Sequence, residues 1–370
     1  MPASLRREVG QLLIGSLPGT TITAEMRSLA REFQLGGVTL FARNIEAPEQ
    51  VAELAHDLQS LAADLPLWVA VDQEGGRVAR FHAPFTKWPP MATLGRSGDE
   101  ALAHRFATAL AAELKSVGVT LDYAPVLDIH TNSMNQVIGD RALGEDADMV
   151  SKLGAAVIRG LQESGVAACG KHFPGHGDTS TDSHHELPVV DHPPDRIRRV
   201  ECVPFREAIR QDVAFIMTAH ILVPSLDEER PATLSPRIVQ GLLREELGFT
   251  GVILSDDLEM KAIADAYTVP DAAVQAIAAG CDGLLLCRAT ASDRGEDAQA
   301  HAAVLEALVH AIEDGRIPYK RAEDALARNR KAKERFLTAP VATPGRSRAL
   351  RQVLGCEGHQ RVAEEMAQFA

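Results

Sequence analysis

Eight short apolar runs recur along this sequence, and longer amphipathic stretches separate them. The runs are rich in Val, Ile and Leu, and in chain order they read QLLIG, GGVTLF, LWVAV, VTLDYAPVL, VAACG, AFIMT, GVILS and DGLLL. The stretches between them, such as DEALAHRFATALAAELKSVG, carry apolar residues at spacings of three and four, which is typical of amphipathic helices. Strict alternation of strand and helix predicts an α/β fold with parallel strands and right-handed crossovers. Eight such units predict a single (β/α)8 TIM barrel rather than an open doubly wound sheet.

The barrel is predicted to end shortly before residue 340. The segment TAPVATPGRSR, rich in Pro, Thr and Ala, is typical of a connector between folded elements. We therefore expect a catalytic barrel over residues 1–340, followed by a linker and a short C-terminal tail helix over residues 341–370. The sequence leaves open whether this tail packs on the barrel or stays mobile.

Composition argues against several classes of partner. A net charge of −13 disfavours a nucleic acid or an anionic membrane surface as the main partner, because both attract clustered Lys and Arg. Five cysteines without CxxC spacing indicate neither a disulfide framework nor a structural zinc site. No stretch approaches the roughly 18 consecutive apolar residues of a membrane span. These features predict a cytoplasmic protein that binds neither nucleic acid nor membrane.

Polar side chains follow most of the predicted strands, at the point where each strand ends. They are Asp72, Asp128, Lys171, His172, His220, Asp256 and Asp257. Barrel enzymes carry their chemistry where strands end and the next loops begin, whereas an open sheet concentrates it at one switch point. The distribution supports the barrel and predicts an active site at the carboxyl ends of its strands.

The segment KHFPGHGDTSTDSHHELP, residues 171–188, concentrates histidines and carboxylates in a stretch that Pro and Gly keep from forming a helix. A metal site is one interpretation, although Pro174 and Gly175 interrupt the i, i+4 histidine pair, His172 and His176, that a helical zinc site would use. A solvated polar loop is a second interpretation.

Asp182 and His184 favour a third interpretation of this loop. In an extended segment residues i and i+2 project to the same side, so the two side chains can hydrogen-bond and act as one unit. A carboxylate that fixes the tautomer of an imidazole and supports its charged form is the base half of many catalytic sites. Gly175 and Gly177 predict a loop that moves this pair into the site once substrate is bound.

The segment SDDLEM contains two adjacent aspartates, which are candidates to react together with the Asp182–His184 pair. If Asp256 points into the barrel mouth, alternation along the strand directs Asp257 away, free to cap the next helix or to bind a cation. Helix capping by both is the simplest interpretation of the segment alone. A carboxylate nucleophile with a separate proton donor is instead the arrangement of a retaining glycosidase.

Six motifs occur in order between about residue 9 and residue 336: VDQEGGRVAR, APVLD, GDRALGED, KHFPGHGDTSTDSH, TAHI and SDDLEM. Together they resemble the β-N-acetylglucosaminidases of glycoside hydrolase family 3, the NagZ type of peptidoglycan recycling. KHFPGHG followed by DSH is the most specific of them. The resemblance implies a (β/α)8 barrel, retention of configuration, no metal or other cofactor, and removal of non-reducing N-acetylglucosamine from muropeptides.

By this resemblance Asp256 is the nucleophile, His184 the general acid/base and Asp182 its partner. The residues implied to bind the sugar are Asp72, Arg80, Arg141, Lys171 and His172. Taken without the motifs, Arg141 and Lys171 have simpler interpretations as members of structural ion pairs.

Three further positions qualify the resemblance. Asp128 is expected to support the site rather than to act in it. Asp122 stands where relatives often carry Asn, and Arg288 stands where Asn is common. The chain otherwise resembles the single-domain cytoplasmic members of the family, so a small saccharide or muropeptide is the expected substrate and a monomer, or at most a weak dimer, the expected state.

Several alternatives stay open at this point. A β-N-acetylglucosaminide phosphorylase, or a hexosaminidase directed at chitooligosaccharides, would fit the same residues. The acetamido oxygen of the substrate could act as nucleophile, with Asp256 only orienting it. From other classes, a saccharide-binding barrel without catalysis and a metal-dependent hydrolase are the remaining candidates.

Overall fold

The computed structural model describes residues 3–179, 183, 187–287, 297–337 and 347–370. Parallel strands, hydrogen-bonded in chain order, close into an eight-stranded barrel. The strands are β1 (Leu13–Ser16), β2 (Gly37–Leu40), β3 (Trp68–Val71), β4 (Leu121–Asp122), β5 (Ala167–Phe173), β6 (Phe215–Thr218), β7 (Val252–Asp257) and β8 (Gly283–Leu285). Each strand overlaps one of the eight predicted apolar runs, so the predicted (β/α)8 barrel is confirmed.

Helices surround the barrel. They are α1 (Ala3–Gly10), α2 (Ala24–Phe33), α3 (Pro48–Gln59), α4 (Ala92–Ser97), α5 (Glu100–Ser116), α6 (Ala147–Glu163), α7 (Pro194–Arg199), α8 (Val203–Arg210), α9 (Lys261–Ala264), α10 (Val269–Ala279), α11 (Asp297–Glu313), α12 (Tyr319–Phe336), α13 (Ser347–Val353) and α14 (Glu357–Ala367). A π-helical segment covers Arg237–Glu246, and short 3-10 turns cover Ala42–Asn44, Gly139–Arg141 and Ala232–Leu234.

Capping side chains set the starts of the two longest helices in the first half of the chain. α5 begins after Asp99, whose carboxylate accepts hydrogen bonds from the first backbone N–H groups of the helix. α6 begins after Asp146, which caps it in the same way, two residues before the stretch DMVSKLGAAVIRGLQESG, whose apolar spacing also predicts a helix. The predicted helical periods therefore recover both helices, and the local capping chemistry fixes where they begin.

The amino end of the barrel is closed by aromatic side chains. Trp68, the first residue of β3, packs edge-on against Phe215 of β6 at a ring-centroid distance of 5.2 Å. Phe336, at the end of α12, lies 6.3 Å from the same indole. Because this end is filled, the carboxyl ends of the strands are left to form the site.

The C-terminal helices pack on the outside of the barrel. α14 lies against α5 and α4, and α13 lies against α5 and α3. Leu354 and Met366 of this tail are buried in the contact. The question that the sequence left open is thereby answered, since the tail docks; the predicted linker falls mainly on residues 338–346, outside the described part of the chain. Among the helices described here, none is both long and apolar enough to cross a membrane.

Candidate active site

A cavity of about 170 Å³ lies at the carboxyl ends of the strands. Six of the predicted site residues border it, and they come from four parts of the barrel. They are Asp72 and Arg80 of the loop after β3, Arg141 of the turn after β4, Lys171 and His172 of β5, and Asp256 of β7. The closed barrel therefore brings together side chains that are up to 184 positions apart in the sequence, from residue 72 to residue 256.

Four charged side chains form a buried network in the wall of this cavity. Lys171 Nζ lies 2.7 Å from Asp72 Oδ1 and 2.6 Å from Glu74 Oε1. Arg141 donates two hydrogen bonds to Glu74, from Nε at 2.9 Å and from Nη2 at 2.8 Å. The two cations and two anions alternate, so each buried charge has a partner of opposite sign.

Glu74 was missed by the sequence analysis, although it is the centre of this network. Its side chain is 2% exposed. Burial opposes its ionisation, yet the charges of Arg141 and Lys171 outweigh burial and hold the pKa of the carboxyl well below its ordinary value. A usable signal was present, because Glu74 follows Asp72 by two positions in DQEGG and an extended segment would direct both to one side.

Asp72 and Lys171 are held in their charged forms by one another. Burial raises the pKa of the Asp72 carboxyl, but Lys171 and Arg80 together lower it below its ordinary value. Burial likewise lowers the pKa of the Lys171 amine, and the charges of Asp72 and Glu74 reverse that effect and raise it. The ion pair that the sequence analysis considered for Lys171 is therefore present, and it lies inside the cavity wall.

Arg80 is held much more loosely than Arg141. Its Nη2 lies 3.4 Å from Asp72 Oδ2, and its buried Nε has no hydrogen-bond partner among the described residues. The guanidinium also lies over the ring of Phe41, 5.7 Å from the centroid. Arg80 therefore has donor groups available to a ligand in the cavity.

His172 is fixed by Asp128. The imidazole Nδ1 lies 2.7 Å from Asp128 Oδ2, and the carboxylate also accepts a hydrogen bond from the backbone N–H of His176 at 2.7 Å. Burial opposes ionisation of Asp128, but the neighbouring His172 keeps its pKa below the ordinary value. Asp128 is fully buried, consistent with the supporting position expected for it.

The second histidine of the predicted loop has local partners of its own. His176 Nδ1 lies 2.7 Å from Thr179 Oγ1, and Nε2 lies 3.4 Å from Ser183 Oγ. Burial lowers the pKa of this imidazole. Within the described ranges no group of three or more His, Cys, Asp or Glu side chains is arranged to hold a metal ion.

Asp256, the next-to-last residue of β7, is half-buried and borders the cavity. Its Oδ1 accepts a hydrogen bond of 2.8 Å from the backbone N–H of Asp257. No hydrogen bond from the described residues reaches its Oδ2. One carboxylate oxygen is thus fixed by the backbone while the other is available.

The expectation that Asp257 faces away from the barrel mouth is wrong, because Asp257 borders the cavity as well. The pairing of β7 with β8 shifts register between Leu254 and Asp257, so the alternation of a regular strand does not hold here. Its carboxylate accepts hydrogen bonds of 3.1 Å from the backbone N–H groups of Glu259 and Cys287. Burial, reinforced by the charge of Glu259, raises the pKa of Asp257 to about 7.

Asp122 and His220 lie behind the site. Asp122 is fully buried, accepts the backbone N–H of Gln73 at 2.9 Å through Oδ1, and has an Oδ2 without a partner in the described part of the chain. Burial raises its pKa well above the ordinary value. His220 Nε2 lies 2.9 Å from the carbonyl oxygen of Asp257 and supports the end of β7.

Three predicted residues lie outside the described residues: Asp182, His184 and Arg288. Ser183, which separates the first two, is described. It borders the cavity, and its carbonyl oxygen accepts a hydrogen bond of 3.2 Å from the backbone N–H of Ala262 in α9.

Comparison with known proteins gives the family. The Glycosyl hydrolase family 3 N terminal domain matches residues 4–331. A Beta-hexosaminidase of Nitrosomonas eutropha is 42% identical over 285 residues, which cover 75% of this chain and 81% of that protein. A glycoside hydrolase family 3 beta-N-acetylglucosaminidase from Paenibacillus sp. str. FPU-7 is similar in structure, with a TM-score of 0.91 at 40% identity over 99% of this chain and 68% of that one.

A second solved structure is similar over nearly the whole of both chains. NagZ from Neisseria gonorrhoeae, in complex with N-trifluoroacetyl-D-glucosamine, has a TM-score of 0.76 at 31% identity and 98% coverage of each chain. The predicted family resemblance is confirmed. This chain therefore belongs to glycosyl hydrolase family 3 and is a glycoside hydrolase whose curated relatives carry the name β-hexosaminidase.

Proposed function

We propose that this enzyme is a retaining exo-β-N-acetylglucosaminidase that removes the non-reducing N-acetylglucosamine from muropeptides, including their anhydro forms. The observation that carries the proposal is the half-buried Asp256 carboxylate at a cavity walled by Lys171, Arg80 and Asp72. The similarity to NagZ and to beta-N-acetylglucosaminidases supports the choice of sugar.

The size of the cavity supports exo action. Its volume of about 170 Å³ is smaller than the roughly 300–1,000 Å³ of pockets that enclose drug-sized ligands. Such a cavity suits one terminal sugar ring, with the rest of the substrate outside.

The polarity of the wall supports a sugar as ligand. Sugar hydroxyls both donate and accept hydrogen bonds, and the wall offers an acceptor in Asp72 beside donors in Lys171 and Arg80. Because Lys171 and Asp72 are fixed by their ion pair, they would meet the sugar already oriented, which lowers the entropic cost of binding.

In the first step of the proposed reaction, Asp256 attacks the anomeric carbon through Oδ2 while the glycosidic C–O bond breaks. The backbone N–H of Asp257 holds Oδ1, so the carboxylate is oriented before substrate arrives. Protonated His184 gives its proton to the departing oxygen, and a glycosyl ester of Asp256 is formed.

In the second step, water attacks the same carbon while the ester bond to Asp256 breaks and releases its carboxylate, and His184, now neutral, accepts the proton of the water. Two inversions give net retention. An imidazole with an ordinary pKa near 6.5 suits both roles near neutral pH, and the proposed contact with Asp182 favours the protonated form needed first. The position of Ser183, which borders the cavity between Asp182 and His184 in the sequence, supports this role.

We further propose that the enzyme is a cytoplasmic monomer that acts in peptidoglycan recycling. Only small saccharide or muropeptide substrates are proposed as partners. Elution of the intact chain at twice its mass in light-scattering chromatography would contradict the monomer.

The experiment is release of nitrophenol from 4-nitrophenyl N-acetyl-β-D-glucosaminide in the presence of EDTA, compared with the plain β-glucoside. Asp256→Ala should abolish turnover, and Asp265→Ala, which removes an exposed aspartate of the same region, should not. Turnover of the acetamido sugar alone supports the proposal. Sugar 1-phosphate formed in phosphate buffer would indicate phosphorolysis instead, and turnover of neither sugar would remove the proposed specificity.

A 2-fluoro sugar tests the nucleophile directly. Transfer of its glycosyl mass to the peptide that contains Asp256 supports the covalent intermediate, and a purified anhydro-muropeptide substrate tests the natural leaving group. Labelling of any other carboxylate would contradict the role of Asp256.

A further inference from the structure

Glu113 joins three separate segments of the chain through one buried carboxylate. It lies on α5, and its side chain is 1% exposed. Thr86 donates to it twice, from the backbone N at 2.9 Å and from Oγ1 at 2.6 Å. The C-terminal tail supplies two more contacts, the Gly355 backbone N–H at 2.9 Å and His359 Nδ1 at 2.8 Å. All four are hydrogen bonds to a carboxylate in a buried setting, which are stronger than those between neutral groups.

Thr86 belongs to the loop between β3 and α4, which also carries Asp72, Glu74 and Arg80. Contacts within this loop connect Thr86 to the residues that border the cavity. Gln73 Oε1 accepts the backbone N–H groups of Arg80 and Phe81, at 2.7 and 3.0 Å. Phe81 stacks on Phe85, the neighbour of Thr86, at a centroid distance of 4.5 Å.

The tail also touches this loop directly. Gly355 has a φ of 57°, and a Cβ at this position would lie 2.4 Å from the carbonyl oxygen of Pro84. The approach is therefore possible only for glycine. The tail thus reaches the loop both through Glu113 and by backbone contact.

We propose that Glu113 and His359 are positioning residues for sugar binding: the C-terminal helices hold, through Glu113, the loop that presents Arg80 to the cavity. The guanidinium of Arg80 is itself weakly held, with one contact of 3.4 Å and an unpartnered Nε among the described residues. Its place therefore depends on the backbone that carries it. The inference rests on the proposed function in one respect, namely that Arg80 binds the sugar.

The test compares variants on both sides of Glu113 in the full chain. His359→Ala removes the tail donor, and His359→Asn restores a donor at the position of Nδ1. Thr86→Val removes the loop hydroxyl without loss of volume, and Thr86→Ser restores it. Arg105→Ala is the matched control, because it breaks the bidentate ion pair of α5 with Glu365 of the tail and leaves the hydrogen bonds of Glu113 in place.

Two readouts are measured at a temperature where every variant is folded: KM and kcat for the nitrophenyl N-acetyl-glucosaminide, and amide hydrogen exchange over residues 80–86. We expect His359→Ala and Thr86→Val to raise KM by about three- to tenfold with kcat within about twofold, and to speed exchange in the loop. The Asn and Ser variants should return both values to those of the wild type, and Arg105→Ala should change neither.

An unchanged KM in His359→Ala and Thr86→Val, whether or not exchange increases, overturns the inference. So does an equal rise in KM in Arg105→Ala, because tail docking in general would then be responsible. If the wild type fails to hydrolyse the sugar, the proposed function fails instead, and exchange over residues 80–86 still decides whether the tail holds the loop.

Discussion

Arg141 donates Nε and Nη2 to the two oxygens of Glu74, at 2.9 and 2.8 Å, in a bidentate pair that is almost fully buried. The same carboxylate also receives Lys171. Lys171 and Arg141, which are proposed to bind the sugar, are thus both held by the buried Glu74 carboxylate. These ion pairs orient both cations before substrate binds. Loss of the Glu74 charge should therefore lower the stability of the protein.

Glu74→Gln should destabilise the protein by about 3 kcal/mol, because breaking a buried ion pair leaves charges without compensation. The KM for the sugar should rise as well, since Lys171 and Arg141 lose their common partner. Urea unfolding and steady-state kinetics measure the two effects. The control is Asp140→Asn, which breaks a half-exposed pair with Arg77 and should cost less than about 1 kcal/mol. Equal costs for the two variants would contradict the central position of Glu74.

Arg80→Ala should separate binding from stability. Among the described residues the Arg80 guanidinium makes only a 3.4 Å contact with Asp72 and a distant one with the Phe41 ring, so its loss should leave the melting temperature within about 2 °C of the wild type. The KM for the sugar should rise about tenfold or more, the effect of losing a charged hydrogen-bond donor to the ligand. A large fall in melting temperature with an unchanged KM would assign Arg80 to structure instead of binding.

Asp257→Asn should stabilise the protein, and the gain should grow with pH. The pKa of Asp257 is raised by burial to about 7 in the folded state, above its ordinary value of 3.8 in the unfolded chain. Between pH 3.8 and about 7 the folded state binds one more proton than the unfolded chain. The free energy of unfolding of the wild type therefore falls as pH rises through this range, and the loss is complete above pH 7. Asn accepts the same two backbone hydrogen bonds without the charge.

The measurement is urea unfolding of Asp257→Asn and wild type at pH 4, 6 and 8. The difference should be smallest at pH 4 and largest at pH 8. Asp265→Asn, at an exposed position, should show no such trend. A difference that stays constant across this range would show that Asp257 titrates normally.

Lys333→Met should also stabilise the protein, with the opposite dependence on pH. Lys333 on α12 is 1% exposed and donates to Gln11 Oε1 at 2.7 Å. Burial lowers the pKa of its amine to about 7, below the ordinary 10.5. Between about pH 7 and 10.5 the unfolded chain binds one more proton than the folded state. The free energy of unfolding therefore rises with pH in this range, and the destabilisation caused by Lys333 is complete below pH 7.

The expected gain for Lys333→Met is about 2 kcal/mol at pH 6, after allowance for the hydrogen bond that Gln11 loses. The gain should shrink as pH rises toward 10. Lys331→Met, two positions away at an exposed site, is the matched control and should have little effect at any pH. A destabilised Lys333→Met at pH 6 would mean that the amine has partners that outweigh its burial.

Much of this protein is decided within short stretches of its sequence. The eight strands, the helices that follow Asp99 and Asp146, and the polar residues at the ends of most strands were all predictable. The reason is physical: strand and helix periods, capping groups and the direction of a side chain depend on residues only a few positions apart. The roles of Asp182 and His184 stay predictions, carried by the DSH pattern and the family resemblance.

Only the tertiary structure decided which charges meet. Glu74 and Arg141 are 67 residues apart, and Glu113 and His359 are 246 apart, so no local pattern relates them. The same holds for Asp257, which the shift in register between β7 and β8 brings to the cavity. These relations depend on barrel closure and on docking of the tail, because a buried charge finds its partner only after distant segments have packed around it.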